Sequence, residues 1–391
     1  MKSSEVQVIC SAEALSALAG EWNDLAFRCP GYFLSQTFQW AETAWETIGR
    51  PSGYKLNCLT LRSGGRLVAV WPLVICRDRG RLRTVRPLGF GGHEYCAPLV
   101  EPGDEAGRRV AILWRTAARS ADLAVLRHVR ADSLLAGILK AGRHWSMTED
   151  AVPAPYVARA DYPDWPAYHA TISSRLRYEI RSRRRKLAKM GEFVLERESA
   201  AGCAALIDWM LDQKKHWLVR SNLNSDWIDR PDSRDFLVAL AAREDATGSV
   251  VLFALKLNGV PIAAAVVSVG GSRVEGYVTV YDLEWSAYSP GGILTEHIVQ
   301  WAFEQGCDFD FRIGDQPYKF KWATRSCDTV IWQVTTSKRG MVQVRAALLL
   351  DRIRQKLALG RFLPSGWRER REASRQALAA RADRPPPHDS G

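Results

Sequence analysis

The chain has 391 residues, of which 47% are hydrophobic and 25% are charged. This is ordinary globular composition, and the length allows two cores rather than one. The net charge of +11 is concentrated in two segments, because residues 175–189 contribute +7 and residues 340–391 contribute +6. The remainder is slightly acidic, which excludes a protein that is basic throughout.

The N-terminal stretch and the cysteines indicate a compartment. Residues 1–15 lack the basic and apolar pattern of a secretion signal. The most apolar long window, 250–269, contains Asn258, Gly259 and Pro261, and therefore predicts two strands rather than a membrane span. The eight cysteines show neither paired nor metal-ligand spacing, so we expect free thiols and no metal site. We therefore expect a cytoplasmic protein.

Hydrophobic periodicity predicts the elements of the first half of the chain. They are helices at 11–27 and 37–48, strands at 54–62, 66–77 and 81–88, and alternating helices and strands over 99–145. Four prolines within 150–168 then indicate a domain boundary. We place the first domain at 1–155.

The second half has its own predicted elements. They are a basic helix at 173–190, a strand at 192–198, helices at 204–218 and 232–244, and a three-strand meander over 249–281. Residues 61–75 resemble residues 255–269, which indicates either a tandem repeat or the common pattern of hairpins. We place the second domain at 156–336 and a basic tail, helical and then disordered, at 337–391.

Residues 289–322 carry the clearest functional pattern. Ser289 and Pro290 suit a helix start, and Gly291 and Gly292 would let backbone N–H groups approach a ligand. A glycine turn that leads into a helix is a ready anion site. The alternation around Asp310 predicts a strand after this helix. The plain alternative is an ordinary strand–helix–strand unit.

A loop that combines acidic, basic and aromatic residues, 314–322, follows the strand. With the Ser-Pro-Gly turn, it resembles the BioF2-like, or CelD-like, acetyltransferase family of the GNAT superfamily. The matching residues are Ser289, Pro290, Gly291, Asp310, Gly314, Asp315, Tyr318, Lys319 and Trp322. The Tyr-Lys-Phe-Lys run also resembles a loop of the FemABX aminoacyl-tRNA-dependent transferases, which share the fold but use a different donor.

The resemblance implies an α/β fold with tandem GNAT-like (acyl-CoA N-acyltransferase) domains, mixed central sheets and a basic helical C-terminal tail. It implies an acyltransferase that uses acyl-CoA, in the simplest case acetyl-CoA, as donor and requires no metal. The acceptor would be an amine or hydroxyl of a sugar, polysaccharide or envelope precursor. The alternatives are a FemABX-like transferase that uses aminoacyl-tRNA, or a degenerate GNAT-fold binding or scaffold protein. The usual GNAT turn, Arg/Gln-x-x-Gly-x-Gly/Ala, is replaced here by Ser-Pro-Gly-Gly.

Such transfer needs a positioned acceptor, a base and donors for the developing oxyanion. The candidate catalytic residues are Asp310, Asp315 and Lys321. The candidate donor-binding residues are Ser289, Gly291, Gly292, Ile293 and Lys319, with Lys319 on a phosphate. The candidate acceptor-binding residues are Glu275, Tyr277 and Tyr281 on one face of a strand, Tyr318 and Trp322 as walls, and His93 and Tyr95 from a glycine-rich loop.

Each candidate also has a structural interpretation. An acid at a strand end is commonly a turn residue, and a lysine in an exposed loop is commonly only solvated. The basic helix over 175–189 is either a solvated face or a site for an anionic ligand. We expect a nucleic-acid partner only as tRNA, in the aminoacyl-tRNA alternative.

Overall fold

The computed structural model describes residues 4–77, 82–89, 95–142, 145–220, 230 and 232–357. Two halves follow each other along the chain. The N-terminal half runs to residue 148, and the C-terminal half begins at residue 152. A helix after the second half belongs to the predicted tail.

The N-terminal half alternates strands with helices. Its strands are β1 (Ser4–Ile9), β2 (Lys55–Leu56), β3 (Cys58–Ser63), β4 (Arg66–Trp71), β5 (Leu73–Arg77), β6 (Arg83–Pro87), β7 (Leu99–Val100), β8 (Leu123–Arg130) and β9 (Ser146–Thr148). Its helices are α1 (Ala12–Ser16), α2 (Ala19–Phe27), α3 (Phe38–Ala44), α4 (Ala106–Ser120) and α5 (Leu134–Ala141). The strand predicted over 66–77 is divided at Pro72, which has no backbone N–H to give to a ladder.

The C-terminal half begins with a strand and carries the longest strands of the fold. Its strands are β10 (Val152–Val157), β11 (Phe193–Arg197), β12 (Glu244–Asp245), β13 (Gly248–Leu257), β14 (Val260–Gly270), β15 (Arg273–Tyr281), β16 (Asp308–Asp310) and β17 (Arg325–Thr335). Its helices are α6 (Trp165–Thr171), α7 (Ser174–Ala188), α8 (Cys203–Arg220), α9 (Asp232–Ala241), α10 (Pro290–Glu304) and α11 (Pro317–Phe320). The helix α12 (Lys338–Leu357) follows, and the rest of the predicted tail lies outside the described residues.

The two halves repeat one plan. Each has an antiparallel hairpin, β3–β4 or β13–β14. Each also has two parallel neighbouring strands joined through a helix, namely β6–α4–β8 and β15–α10–β16. The weak repeat in the sequence therefore reflects a structural repeat. The fold class, α/β with tandem GNAT-like halves, is confirmed.

One mixed sheet runs through both halves, in the order β11-β13-β14-β15-β16-β10-β17-β8-β6-β5-β2. A second sheet contains β1, β3, β4 and β7. Strand β17 joins the halves, since it pairs with β10 on one side and with β8 on the other. The domain boundary proposed between residues 155 and 156 falls inside β10, a strand that the sequence did not predict because prolines occupy two of its positions.

The three larger apolar cores of the described residues hold these layers together, and each is named here for one of its helices. The α8 core also includes Trp22 and Trp40 from the N-terminal half, so the halves share it. The α10 core lies on the opposite face of the C-terminal sheet, and the α4 core fills the N-terminal half. Within the described part of the chain, every helix is too short or too polar to cross a membrane.

The cysteines give a first prediction. All eight are free thiols, and Cys10 alone among them is exposed. Burial raises the pKa of Cys29 to about 11, which suppresses its thiolate further. We expect one fast-reacting thiol when native protein is titrated with a thiol reagent at pH 7.5, and eight after denaturation without reductant. A deficit of two thiols in the denatured sample would reveal a disulfide and contradict the fold described here.

Candidate active site

An opening in the C-terminal sheet lies between β15 and β16. These parallel strands pair only at Arg273–Asp308, Val274–Phe309 and Glu275–Asp310. Strand β16 ends there, while β15 continues to Tyr281. The two strands therefore diverge at one level of the sheet.

The side chain of Asp310 causes this divergence. Its Oδ1 accepts a hydrogen bond from the Arg312 backbone N–H at 2.6 Å, and Arg312 has the left-handed φ of 59°. A carboxylate that binds the amide two residues ahead turns the chain sharply. Beyond the turn, the N–H groups of Phe311 and Gly314 donate to the carbonyls of Pro155 and Pro153 on β10. The chain has left β15 and follows its other neighbour.

A β-bulge on β15 corrects one prediction. The register shifts between Gly276 and Val278, which leaves Tyr277 as the extra residue. Tyr277 and Val278 consequently both pack on the α8 core, whereas Tyr281 packs on the α10 core. The single polar face predicted to hold Glu275, Tyr277 and Tyr281 is therefore wrong, because the inserted residue reverses the alternation.

The diverging strands border a cleft of about 390 Å³. It is lined by Gln213, Lys214 and Trp217 of α8, residues 276–281 of β15, and Phe311, Arg312, Ile313, Gln316, Tyr318 and Lys319. Three of these residues are basic, namely Lys214, Arg312 and Lys319, and none of the described lining residues is Asp or Glu. The positive lining favours a ligand that carries negative charge.

Lys319 is the most perturbed group in this cleft. It is only 6% exposed, and its Nζ donates to the carbonyl oxygens of Ile313 at 2.6 Å and Arg312 at 3.2 Å. Burial lowers the pKa of Lys319 to about 7. A large share of this side chain is therefore an uncharged amine at neutral pH.

A buried charged cluster lies behind the cleft. Asp310 is fully buried, and its carboxylate accepts from the Tyr95 hydroxyl at 2.9 Å and lies 3.4 Å from Arg130 Nη1. Glu275 accepts from Arg312 Nη1 at 3.2 Å. Burial raises the pKa of Glu275, and the Arg312 guanidinium opposes that effect. Tyr95 and Arg130 belong to the N-terminal half, so the cluster spans both halves.

This cluster accounts for three of the predicted site residues. Asp310 and Glu275 do not line the cleft. The Tyr95 hydroxyl donates its hydrogen bond to Asp310 rather than to a ligand. The geometry assigns them to shaping the cleft rather than to contact with substrate. His93 lies outside the described residues.

The charged aromatic loop is only partly in the cleft. Tyr318 and Lys319 line it, as do Tyr277 and Tyr281 of β15. Asp315 is half-buried and lies near Lys319 without lining the cleft. The side chain of Trp322 is buried in the α10 core and does not line this cleft.

Lys321 is the other loop residue that the structure removes from the cleft. It is exposed, and its charge acts on Glu179 of α7. The short helix α11 explains the difference, because successive residues on one helical turn point in different directions. The alternation of charged and aromatic residues in this loop did not reveal which lysine faces inwards.

Sequence analysis missed several lining residues. Arg312 stands between Phe311 and Ile313, and its basic charge in an alternation otherwise carried by Asp308 and Asp310 was the available signal. Lys214 and Trp217 lie three residues apart on α8, which places them on one helical face. Lys214 Nζ lies 4.3 Å from the centre of the Trp217 ring, a cation–π contact.

The N-terminus of α10 lies beside the cleft. Ser289 precedes the helix with φ of 48°, and its side chain does not cap the helix, although its sequence position suggested a cap. A Cβ at Gly291 would lie 3.2 Å from Tyr281 Cδ1, so this glycine lets the cleft tyrosine pack on the helix. A Cβ at Gly292 would meet only Ser289 within 4 Å, with Oγ at 3.0 Å.

The basic helix α7 is partly engaged with its surroundings. Arg184 pairs with Glu296 of α10 at 3.2 Å, and Arg175 pairs with Glu179 at 3.0 Å. Other basic residues of this segment are exposed, namely Arg181, Arg185, Lys186 and Lys189. The exposed set forms a surface that could hold an anionic ligand.

Comparison with known proteins places this site in a class. Residues 174–320 match the family model of the acetyltransferase (GNAT) domain. This segment of the chain is therefore a GNAT acetyltransferase domain. The protein is an acyltransferase of the GNAT type. A comparison with curated proteins gave no match.

Three solved structures share the fold at low sequence identity. A crystal structure of FemX has 14% identity and a TM-score of 0.56, over 87% of this chain and 99% of that chain. The C-terminal domain of an Agrobacterium fabrum protein assigned as a lysylphosphatidylglycerol synthetase has 11% identity and 0.52, over 86% and 96%. A conserved Bacteroides thetaiotaomicron protein of unknown function has 11% identity and 0.50, over 84% and 100%. These likenesses support the fold alone.

The buried cluster gives a second prediction. Asp310→Asn removes the negative charge that faces Arg130 and weakens the acceptor for Tyr95. Breaking a buried ion pair costs roughly 3–5 kcal/mol, so we expect the free energy of unfolding in urea to fall by about 3 kcal/mol or more. Asp212→Asn, on the exposed side of α8, serves as the matched control and should change it by less than about 0.5 kcal/mol. Equal effects of the two substitutions would contradict this role of Asp310.

Proposed function

We propose that this protein transfers an acyl group, in the simplest case acetyl, from acyl-CoA to an amine or hydroxyl of a sugar, polysaccharide or envelope precursor. We also propose that it belongs to the BioF2-like, or CelD-like, acetyltransferase family. The observation that carries this proposal is the divergence of β15 and β16 beside the N-terminus of α10. It supplies a cleft for a thioester and an adjacent helix N-terminus for phosphates.

The residues at the helix N-terminus fit a CoA pyrophosphate. Backbone N–H groups at the start of a helix attract phosphate through hydrogen bonds and the helix dipole. No side chain caps α10, and the space beside Gly292 is open except for Ser289. Ser289, Gly291, Gly292 and Ile293 are therefore the proposed donor-binding residues.

The lining of the cleft supports an anionic acceptor or donor group. Lys214 and Arg312 supply positive charge, and Tyr277, Tyr281 and Tyr318 supply flat surfaces with polar ends. A nucleotide sugar or another phosphorylated precursor meets both requirements. The pairing of cationic and aromatic surface is the second support for a precursor of this chemical class.

One observation favours a different donor. The exposed basic residues of α7 would also suit the phosphate backbone of tRNA, as a FemABX-like transferase requires. A degenerate domain that only binds or scaffolds is the non-enzymatic alternative. The cleft and the open helix N-terminus support acyl-CoA over both.

Binding measurements separate these possibilities. We expect isothermal titration of the full chain with acetyl-CoA and with CoA to give saturable heat. No heat with either ligand at millimolar concentration would contradict acyl-CoA as the donor. Saturable binding of tRNA in the same protein, without binding of CoA, would instead support the aminoacyl-tRNA alternative.

Gly292→Val gives a sharper prediction. The Cβ of the added side chain meets only Ser289 within 4 Å, yet the side chain would occupy the space that a pyrophosphate needs. We expect the dissociation constant for acetyl-CoA to rise at least about tenfold, equivalent to about 1.4 kcal/mol.

Gly107→Val is the matched control for this variant. Gly107 lies at the start of α4 in the N-terminal half, and a Cβ there has no neighbour within 4 Å. We expect it to leave acetyl-CoA binding within twofold of wild type, with both variants folded by circular dichroism. Unchanged donor affinity in folded Gly292→Val would exclude the pyrophosphate from this helix.

A further inference from the structure

We propose that the Lys319 amine is the proton acceptor of the transfer reaction. It would take the proton that the acceptor amine or hydroxyl loses when it attacks the acyl carbonyl. This inference rests on the proposed function, and it replaces the phosphate contact that the sequence predicted for Lys319. It stands on the position of Nζ, the bonds that Nζ makes and the groups that share the cleft with it.

The two hydrogen bonds of Lys319 Nζ are compatible with a neutral amine as well as with an ammonium. The nitrogen carries Cε and donates two hydrogens, to Ile313 O at 2.6 Å and to Arg312 O at 3.2 Å. A neutral amine has two hydrogens and one lone pair. Both hydrogens are satisfied by carbonyls, and the fourth tetrahedral position is the lone pair that can accept a proton.

The other candidate bases are committed elsewhere or lie outside the cleft. Asp310 is buried and bound to Tyr95 and the Arg312 amide. Glu275 is buried against Arg312 and Ser268. Asp315 does not line the cleft, and the lining residues that the structure describes include no carboxylate.

The groups around Lys319 lower the pKa of its amine to about 7, which is close to physiological pH. Burial is the main cause, and the charges of Lys214 on α8 and Arg312 act in the same direction. Asp310 on β16 and Asp315 in the following loop act in the opposite direction. Tyr277 and Tyr281 on β15 and Tyr318 on α11 are the phenols that line the same cleft. A base is most effective when its pKa lies near the working pH.

The proposed step balances as follows. The acceptor nitrogen or oxygen forms a bond to the acyl carbon, and its proton moves to Lys319 Nζ, which becomes an ammonium. The carbon–sulfur bond then breaks, and its electron pair leaves on the CoA thiolate. The thiolate takes up the proton from the Lys319 ammonium, which returns Lys319 to the amine and leaves CoA as the free thiol.

The two roles for Lys319 predict opposite behaviour. A phosphate-binding lysine acts as the ammonium, so activity would fall as the pH rises through 7, and arginine would substitute for it. A proton acceptor acts as the amine, so activity rises with pH, is half-maximal at the Lys319 pKa of about 7 and levels off above it. Arginine cannot replace it, because a guanidinium does not release its proton in this range.

The first test measures protonation directly and needs no acceptor. Full-length protein labelled with [ε-¹³C]lysine is titrated by NMR, and the Lys319 signal is assigned as the one missing from Lys319→Arg. We expect its chemical shift to titrate with a midpoint near pH 7. A midpoint above about 9.5 would overturn the proposal whether or not the enzyme turns over in vitro.

The second test uses acetyl-CoA as donor and D-glucosamine as the probe acceptor, with CoA release measured against pH. We expect Lys319→Arg and Lys319→Met each to lower kcat at least about 100-fold, while the dissociation constant for acetyl-CoA stays within twofold. Ethylamine should restore part of the activity of Lys319→Met. Lys215→Met, an exposed lysine on α8, is the control and should match wild type.

The outcomes distinguish this inference from the function on which it rests. Wild-type turnover by Lys319→Arg would overturn the proton-acceptor role and leave acyl transfer intact. Absence of acetyl-CoA binding by wild-type protein would instead overturn the proposed donor, whatever the NMR titration shows.

Discussion

The carboxylate of Asp310 is the constraint on which the rest of the site depends. One oxygen holds the Arg312 amide and turns the chain, which separates β16 from β15 and opens the cleft. The same carboxylate accepts from Tyr95 and faces Arg130, which ties the N-terminal half to the wall of that cleft. A buried charge is tolerated only when its partners compensate for lost hydration. The shape of the cleft and the contact between the halves are therefore stabilised together.

Arg312 connects the buried charged cluster with Lys319 in the cleft. Its guanidinium neutralises Glu275, and its carbonyl oxygen accepts from Lys319. The carboxylates of Asp310 and Glu275 thus bind structural partners, and the described residues that line the cleft include basic residues but no carboxylate. In that environment, loss of a proton from Lys319 relieves repulsion from Lys214 and Arg312. Asp310 and Glu275 shape the cleft and are bound to other groups. Lys319 is therefore the proposed proton acceptor.

Local patterns in the sequence were enough for most of the framework but not for the site. The helix that starts at Pro290, the two hairpins and the strand that ends at Asp310 each depend on neighbouring residues, so periodicity and turn chemistry revealed them. The bulge at Tyr277 depends on pairing with β14, and no local pattern specifies it. Tyr95 reaches Asp310 across 215 positions of the chain, a contact that only the assembled sheet creates. The short helix α11 directs Lys319 into the cleft and Lys321 towards solvent. The alternation of charged and aromatic residues in the sequence does not predict this difference.

Strand β17 has a consequence for the order in which the protein is made. The N-terminal half lacks its neighbour for β8 until a strand about 200 residues further along the chain is available. At about 5–20 residues per second, the ribosome needs roughly 10–40 s to supply it. During that interval, the edge of β8 next to the missing strand is an unpaired row of backbone groups on the nascent chain, open to pairing with other strands. Slow synthesis would extend this exposure, and chaperones that shield strand edges would act in that window.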